Sequence, residues 1–233
     1  KKVQEAAKEL GYFPNYSARS LKNQRSGMIG LMLTDPNNTF YASLTKSIEE
    51  FVSKKGYRLL LTYNNEDTKK ERECLESLIS SRVEGALVLP VSKENSDLFD
   101  VLKGQGVGIV QMIRKLYSDI HTVTVNDELG TYVATKYWLD SGHRRILFTE
   151  YNFNEACSTK TAGYRRAFEE YGLDPSEGIL DLPFGVNLEG VIAGAIAERA
   201  STAVLASNMP ITLSTLKALK AHHMDIPEKI SVM

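Results

Sequence analysis

The chain has 233 residues, 42% of them hydrophobic and 24% charged, ordinary values for a globular protein able to bury a core without disulfides or metal. No run of about 18 uncharged apolar residues is present, so the pattern holds no membrane-spanning helix. The two cysteines, Cys74 and Cys157, are too few and too far apart for a disulfide framework or a zinc site, and fit a reducing cytoplasm. Net charge is −1, but residues 1–25 hold Lys1, Lys2, Lys8, Arg19, Lys22 and Arg25 against only Glu5 and Glu9. A basic end on an acidic body fits either a nucleic-acid-binding arm or a solvated basic terminus. The opening residues, KKVQEAAKEL, lack a starting Met and the apolar stretch of a signal peptide, so the chain is expected to be a piece of something longer.

Residues 1–10 read as a helix with Val3, Ala6, Ala7 and Leu10 on one face, stopped by Gly11 and Pro14. Asn15 caps a second short helical stretch, YSARSLKN, and residues 24–27 form a polar linker. MIGLMLT (28–34) is then a short apolar run ended by the turn cluster DPNN, the signature of a buried strand. Residues 40–55 are predicted as an amphipathic helix with Leu44, Ile48, Phe51 and Val52 inside, closed by Gly56. Strands are predicted at 57–64, 85–91, 107–112, 122–127, 144–150, 178–183 and 202–208, with a last one opening at ISVM; helices at 68–82, 96–104, 129–141, 159–171, 188–199 and 211–222 fall between them. Strand and helix alternate almost throughout, which demands parallel sheets covered on both faces. The elements are too many for one small sheet, so two similar α/β lobes are expected, with a break between 113 and 128.

Enzymatic signatures are missing: the sequence has no GxGxxG after a strand, no Walker loop, no GxSxG and no HExxH. His222 and His223 are neighbours, but adjacent helix positions do not face each other. The expectation is therefore a protein that is not an enzyme and that needs no cofactor or metal.

Several segments in order carry a resemblance. KELGYFPNYSARSLKNQRSGMIGLMLTDPNNTFYASL is similar to the junction in lactose/galactose-repressor family transcription factors where the last headpiece helix passes into a hinge helix and then the ligand-binding core. KKGYRLLLTYNNED, RVEGALVLP, VTVND with its following helix, SGHRRILF, KTAGYRRAF, TAVLASN and IPEKISVM follow in register. The resemblance implies an α/β fold of two doubly wound parallel-sheet lobes, periplasmic-binding-protein-like, preceded by a short helical headpiece remnant and a hinge. It divides the chain into 1–26 (end of the helix-turn-helix headpiece plus hinge helix), 27–127 (N-terminal lobe) and 128–233 (truncated C-terminal lobe). It further implies a cytoplasmic, homodimeric repressor that binds operator DNA and takes a small-molecule effector at the cleft between the lobes. An extracytoplasmic sugar-binding protein of a transporter shares the fold and stays open as the alternative.

Carried over residue by residue, Leu21 matches the family's minor-groove wedge. Ala18 allows close approach to the groove, Arg19 and Lys22 reach phosphates or base edges, Asn15 caps the hinge helix, and Tyr12 packs headpiece on hinge. The same spacing also suits an ordinary amphipathic helix face. In the cleft, Phe40 and Tyr41 of DPNNTFY match aromatic rings that stack on the effector, core packing being the other explanation. Asp35 and Asn38 serve as polar contacts or as turn-formers. Arg114 follows a strand end and matches an arginine used for ligand. Asn126 and Asp127 close the strand leading into the second lobe, in exchanged order relative to the family. Lys160 replaces an arginine, and Asn154 and Phe184 are further candidates. Met209 is the main departure, since the family reads Asn-Asp where this chain has Asn208-Met209. Methionine cannot accept hydrogen bonds at useful strength. With Arg114 and Lys160 retained, an anionic effector is one expectation. The others are a Met209 that packs on an apolar part of a neutral ligand, and loss of small-molecule control.

Overall fold

The structure, a computed structural model, describes residues 25–151 and 158–233. The chain divides into two compact units after Thr124. The N-terminal unit contains β1 (Met28–Leu33), α1 (Thr39–Lys54), β2 (Arg58–Tyr63), α2 (Thr68–Ser80), β3 (Gly85–Val88), α3 (Ser96–Gly104), β4 (Gly108–Met112) and β5 (His121–Val123). The C-terminal unit contains α4 (Asp127–Asp140), β6 (Ile146–Tyr151), α5 (Ser158–Glu170), β7 (Ile179–Leu182), α6 (Glu189–Glu198), β8 (Ala203–Ala206), α7 (Met209–Ala221) and β9 (Ser231–Val232).

Every strand pairing is parallel. The strand orders are β2-β1-β3-β4-β5 and β7-β6-β8-β9. Each sheet starts on an inner strand and winds outward in both directions, so each is doubly wound. The order reverses between β1 and β3 in one unit and between β6 and β8 in the other. In open sheets of this kind the crevice for a ligand opens at the carboxyl ends of the strands, at that reversal.

Burial on both faces explains why the strands read as continuous apolar runs. Leu31 and Leu33 face a cluster that includes Leu44 and Ile48 of α1. Met32 faces the opposite cluster with Leu75 and Leu78 of α2 and Phe99 and Leu102 of α3. In the C-terminal unit Phe148 packs with Trp138, Tyr164 and Phe168 from α4 and α5. Leu147 and Val204 face α6 and α7 through Ile192, Ile196, Ile211 and Leu219.

Two expectations are corrected. Phe51 of α1 does not lie inside: it is 64% exposed and borders an apolar groove with Ile48, Gly85, Leu87 and Gly108. Alpha-helical spacing put it on the apolar face, but α1 covers only part of the sheet and Phe51 overhangs the uncovered part. The strand expected at 122–127 stops at Val123, and Asn126 and Asp127 are not strand residues. The Asn126 side chain accepts from Leu129 N and so caps α4, whose first residue is Asp127. A helix N-terminus favours both residues, the amide as cap and the carboxylate against the dipole.

Candidate functional site

At the carboxyl ends of the N-terminal sheet, the turn after β1 is built by side chains that hold their own backbone. Asp35 Oδ1 accepts from Asn37 N at 2.8 Å, and Asn38 Oδ1 accepts from Phe40 N at 3.0 Å, capping α1. Both residues therefore have a structural task as turn-formers. Phe40 is 55% exposed. Its ring stands 5.6 Å from that of Tyr41, which packs against Leu31, Leu33, Leu89 and Met112. Burial raises the pKa of the Tyr41 hydroxyl. One ring of the expected stacking pair is thus presented outward and the other is half in the core.

Arg114 is brought to this edge by an unusual backbone. Ile113 has φ of +68°, and Arg114 N donates to Met112 O across it. A β-branched residue in this region carries strain. The tight turn aims the guanidinium at Glu66, with Nη1 2.9 Å from Oε2 and Nη2 3.1 Å from Oε1, and Nη1 also donates to Pro90 O. The two side chains are 11% and 6% exposed. A buried bidentate pair is geometrically firm. Its surroundings reinforce it: Asn64, fully buried, accepts from Glu66 N and donates to Leu89 O. Glu71, also fully buried, accepts from Val91 N at 2.7 Å and from Asn95 Nδ2 at 2.8 Å. Desolvation of this carboxyl raises its pKa.

At the carboxyl ends of the C-terminal sheet, Lys160 Nζ lies 3.9 Å from Asp127 Oδ1, both side chains about three-quarters buried. Glu150, near the end of β6, is 6% exposed and accepts from Thr161 Oγ1 at 2.7 Å. Its register neighbour on β7 is Asp181. Burial pushes the Glu150 carboxyl up to about 7, against the opposing pull of Thr161 and Lys160. The Phe184 ring meets Tyr151 edge-on at 5.4 Å. Asn208 caps α7 by accepting from Ile211 N at 3.1 Å. Met209 is the first residue of that helix and is 49% exposed.

Of the expected cleft residues, Asp35, Asn38, Phe40, Tyr41 and Arg114 gather at the first edge. Asn126, Asp127, Lys160, Phe184 and Met209 follow the strand ends, or start the helices, of the second unit. Asn154 and the hinge positions Tyr12, Asn15, Ala18, Arg19, Leu21 and Lys22 lie outside the described residues. Glu66, Glu71, Glu150 and Thr161 escaped the sequence reading. Glu150 had a signal, a carboxylate at the close of an apolar strand; Glu66 had none beyond its place in NNED. These residues bear on charge: Arg114 and Lys160, the cations behind the anionic expectation, each already hold a carboxylate. Among the described residues no group of three or more His, Cys, Asp or Glu side chains is placed to hold a metal ion, and no helix is long and apolar enough to cross a membrane.

Residues 26–210 match the family described as periplasmic binding proteins and sugar binding domain of LacI family. The HTH-type transcriptional repressor PurR of Vibrio campbellii is 32% identical, over 100% of this chain and 71% of its own. The HTH-type transcriptional regulator RegA of Clostridium saccharobutylicum is 29% identical, over 100% and 72%. Among solved structures, the transcription regulator CcpA of Lactococcus lactis superposes with a TM-score of 0.76 at 20% identity, covering 88% of this chain and 76% of its own. A LacI family transcriptional regulator from Silicibacter pomeroyi does so with 0.75 at 23%, covering 88% and 78%.

Proposed function

The chain belongs to the LacI family of transcription regulators, and on that premise we propose that it is the regulatory core, with hinge, of a cytoplasmic repressor that binds operator DNA as a homodimer. In this reading a small-molecule effector rests against the carboxyl-terminal edges of the two sheets. Its different affinity for two conformations of the core sets the change in operator affinity. The observation that supports the reading is the family match, together with candidate residues that follow strand ends or start helices, the edge at which a doubly wound sheet receives ligand.

The transporter-type sugar-binding protein has the same fold. The regulator is favoured because relatives named as transcriptional regulators align over the whole chain, including the basic residues 1–25. Lys1, Lys2, Lys8, Arg19, Lys22 and Arg25 then neutralise phosphates, and Leu21 serves as the wedge of the hinge.

The test is footprinting of the full-length protein on DNA flanking its own gene, with sedimentation of the same preparation. A protected two-fold-symmetric site and a dimer at micromolar protein support the reading. Absence of sequence-specific protection, or a monomer that still protects the site, refutes it.

A further inference from the structure

A polar cavity opens at the amino-terminal edge of the C-terminal sheet, where β6, β7 and β8 begin, on the side away from the proposed effector edge. Its volume is about 120 Å³, and Arg144, Arg145, Arg199 and Ser201 line it beside the strand starts at Ile146 and Gly178. Main-chain oxygens hold the guanidiniums in place. Arg145 Nε donates to Ala200 O at 2.6 Å, and Ala200 has φ of +47°, a conformation usually left to glycine. Arg199 Nη1 donates to Ile179 O at 2.9 Å. Arg144 Nη1 donates to Leu139 O and His143 O. Each arginine thus gives one nitrogen to the main chain and keeps further N–H donors. Among the described residues none of the three is ion-paired to a carboxylate, unlike Arg114 and Lys160. Ser201 is only 8% exposed, and its hydroxyl has no hydrogen-bond partner among the described residues. Asp174 and Glu177 also border the cavity, but both are exposed. Asp174 is turned to its own loop, with Oδ1 accepting from Ser176 N at 2.8 Å.

We propose that this cavity is a binding site for a phosphate group, held by Arg145, Arg199 and Ser201. A phosphate presents several charged acceptor oxygens, the complement of two guanidinium forks and an unused hydroxyl. The forks are already oriented by their main-chain bonds, so little side-chain freedom is lost when the anion enters. Three cations line the cavity against two carboxylates that do not engage them, so the local charge favours an anion. The volume is well below the roughly 300–1,000 Å³ of pockets that enclose whole organic ligands. The phosphate group therefore enters, and any organic part of a monoester stays outside. The site belongs to the C-terminal unit alone and does not depend on the effector reading.

The experiment is calorimetric titration of the full-length protein with inorganic phosphate, in a chloride buffer of fixed ionic strength, and then with glycerol 3-phosphate. The parent is expected to bind phosphate at one site per chain. Arg199→Gln and Arg145→Gln are each expected to weaken that binding by about tenfold or more, and Ser201→Ala by about threefold. If Arg199→Gln does not fold, Arg145→Gln and Ser201→Ala carry the test. Tighter binding of glycerol 3-phosphate than of inorganic phosphate identifies a monoester as the ligand, and equal or weaker binding identifies the free ion; both support the site. Three results overturn it: no phosphate binding by the parent, unchanged affinity in the folded variants, or an affinity lost in Lys160→Met but kept in Arg145→Gln and Arg199→Gln. The last would move the anion to the effector edge.

Discussion

The burial of Glu150 has a thermodynamic consequence that can be read without any ligand. Its pKa rises from 4.5 to about 7, chiefly because the carboxylate is removed from water. A group that holds its proton more tightly in the folded state stabilises fully below its unfolded pKa, and that stabilisation is lost as pH rises toward the folded value. The whole loss is on the order of 3 kcal/mol, of which about 2 kcal/mol falls between pH 5 and 8. Glu150→Gln has the same shape and no proton to lose, so the gap between variant and parent should widen by that amount over the same window, in favour of the variant. Trp138 supplies the assay. It is the single tryptophan, it is 4% exposed, and it packs in the same core cluster as Phe148 of β6. Urea denaturation followed by its fluorescence at pH 5, 6, 7 and 8 therefore reports on the C-terminal unit. Other titrating groups cancel in the difference between the two proteins. Parallel stability curves for parent and variant across this range would show that Glu150 ionises as an ordinary solvated carboxyl, and the argument from burial would be lost.

Arg114→Met should destabilise the N-terminal unit by about 3–5 kcal/mol, because Glu66 stays buried without its cation, whereas the double replacement Arg114→Met with Glu66→Leu should recover most of that; circular dichroism against urea decides. Gly163→Ala should cost at least about 2 kcal/mol, since the added methyl would overlap the Glu128 carbonyl and approach Tyr132 N; the same Trp138 fluorescence measures it, and a change within 0.5 kcal/mol (roughly the scatter for innocuous surface sites) would contradict the predicted clash. In the full-length protein Leu21→Ala should weaken operator binding at least tenfold and leave the effector affinity unchanged, measured by DNA anisotropy and calorimetry; equal operator affinity removes the hinge assignment.

The alternation of short apolar runs with amphipathic segments makes the doubly wound character legible in the sequence, because a parallel strand covered on both faces has to be apolar throughout. Leu31, Met32 and Leu33 illustrate it, pointing in turn to the two clusters. Where a residue serves a helix cap instead of a strand, the pattern misled: Asn126 and Asp127 follow TVTV and look like its continuation, yet they satisfy the first turn of α4. Phe51 misled for a different reason, since periodicity gives the apolar face of a helix but not how much of the sheet beneath reaches it. Site residues matched by motif, such as Phe40, Arg114 and Lys160, fall at strand ends or helix starts. What no pattern revealed was their partners. Glu66 reaches Arg114 from 48 positions away, and such pairing is a property of topology. The left-handed Ile113 that directs it leaves no trace in residue type, because isoleucine is the last residue one would choose for that conformation.

The motif KTAGYRRAF owes its glycine to a joint. Lys160 and Asp127 meet at the starts of α5 and α4, and Gly163 lets the two helices touch at Glu128 and Tyr132. Arg166 then lies 4.3 Å over the Tyr132 ring, and the Tyr132 hydroxyl donates to Glu170 at 2.8 Å. Four successive fastenings along the pair leave neither helix free to slide or turn alone. Mechanically they form a single beam. One end of that beam carries Lys160, beside Glu150; the same end carries Asp127, the first residue of α4, three residues after Thr124. Any load placed on Lys160 is thus passed through the ion pair to Asp127 and the start of α4.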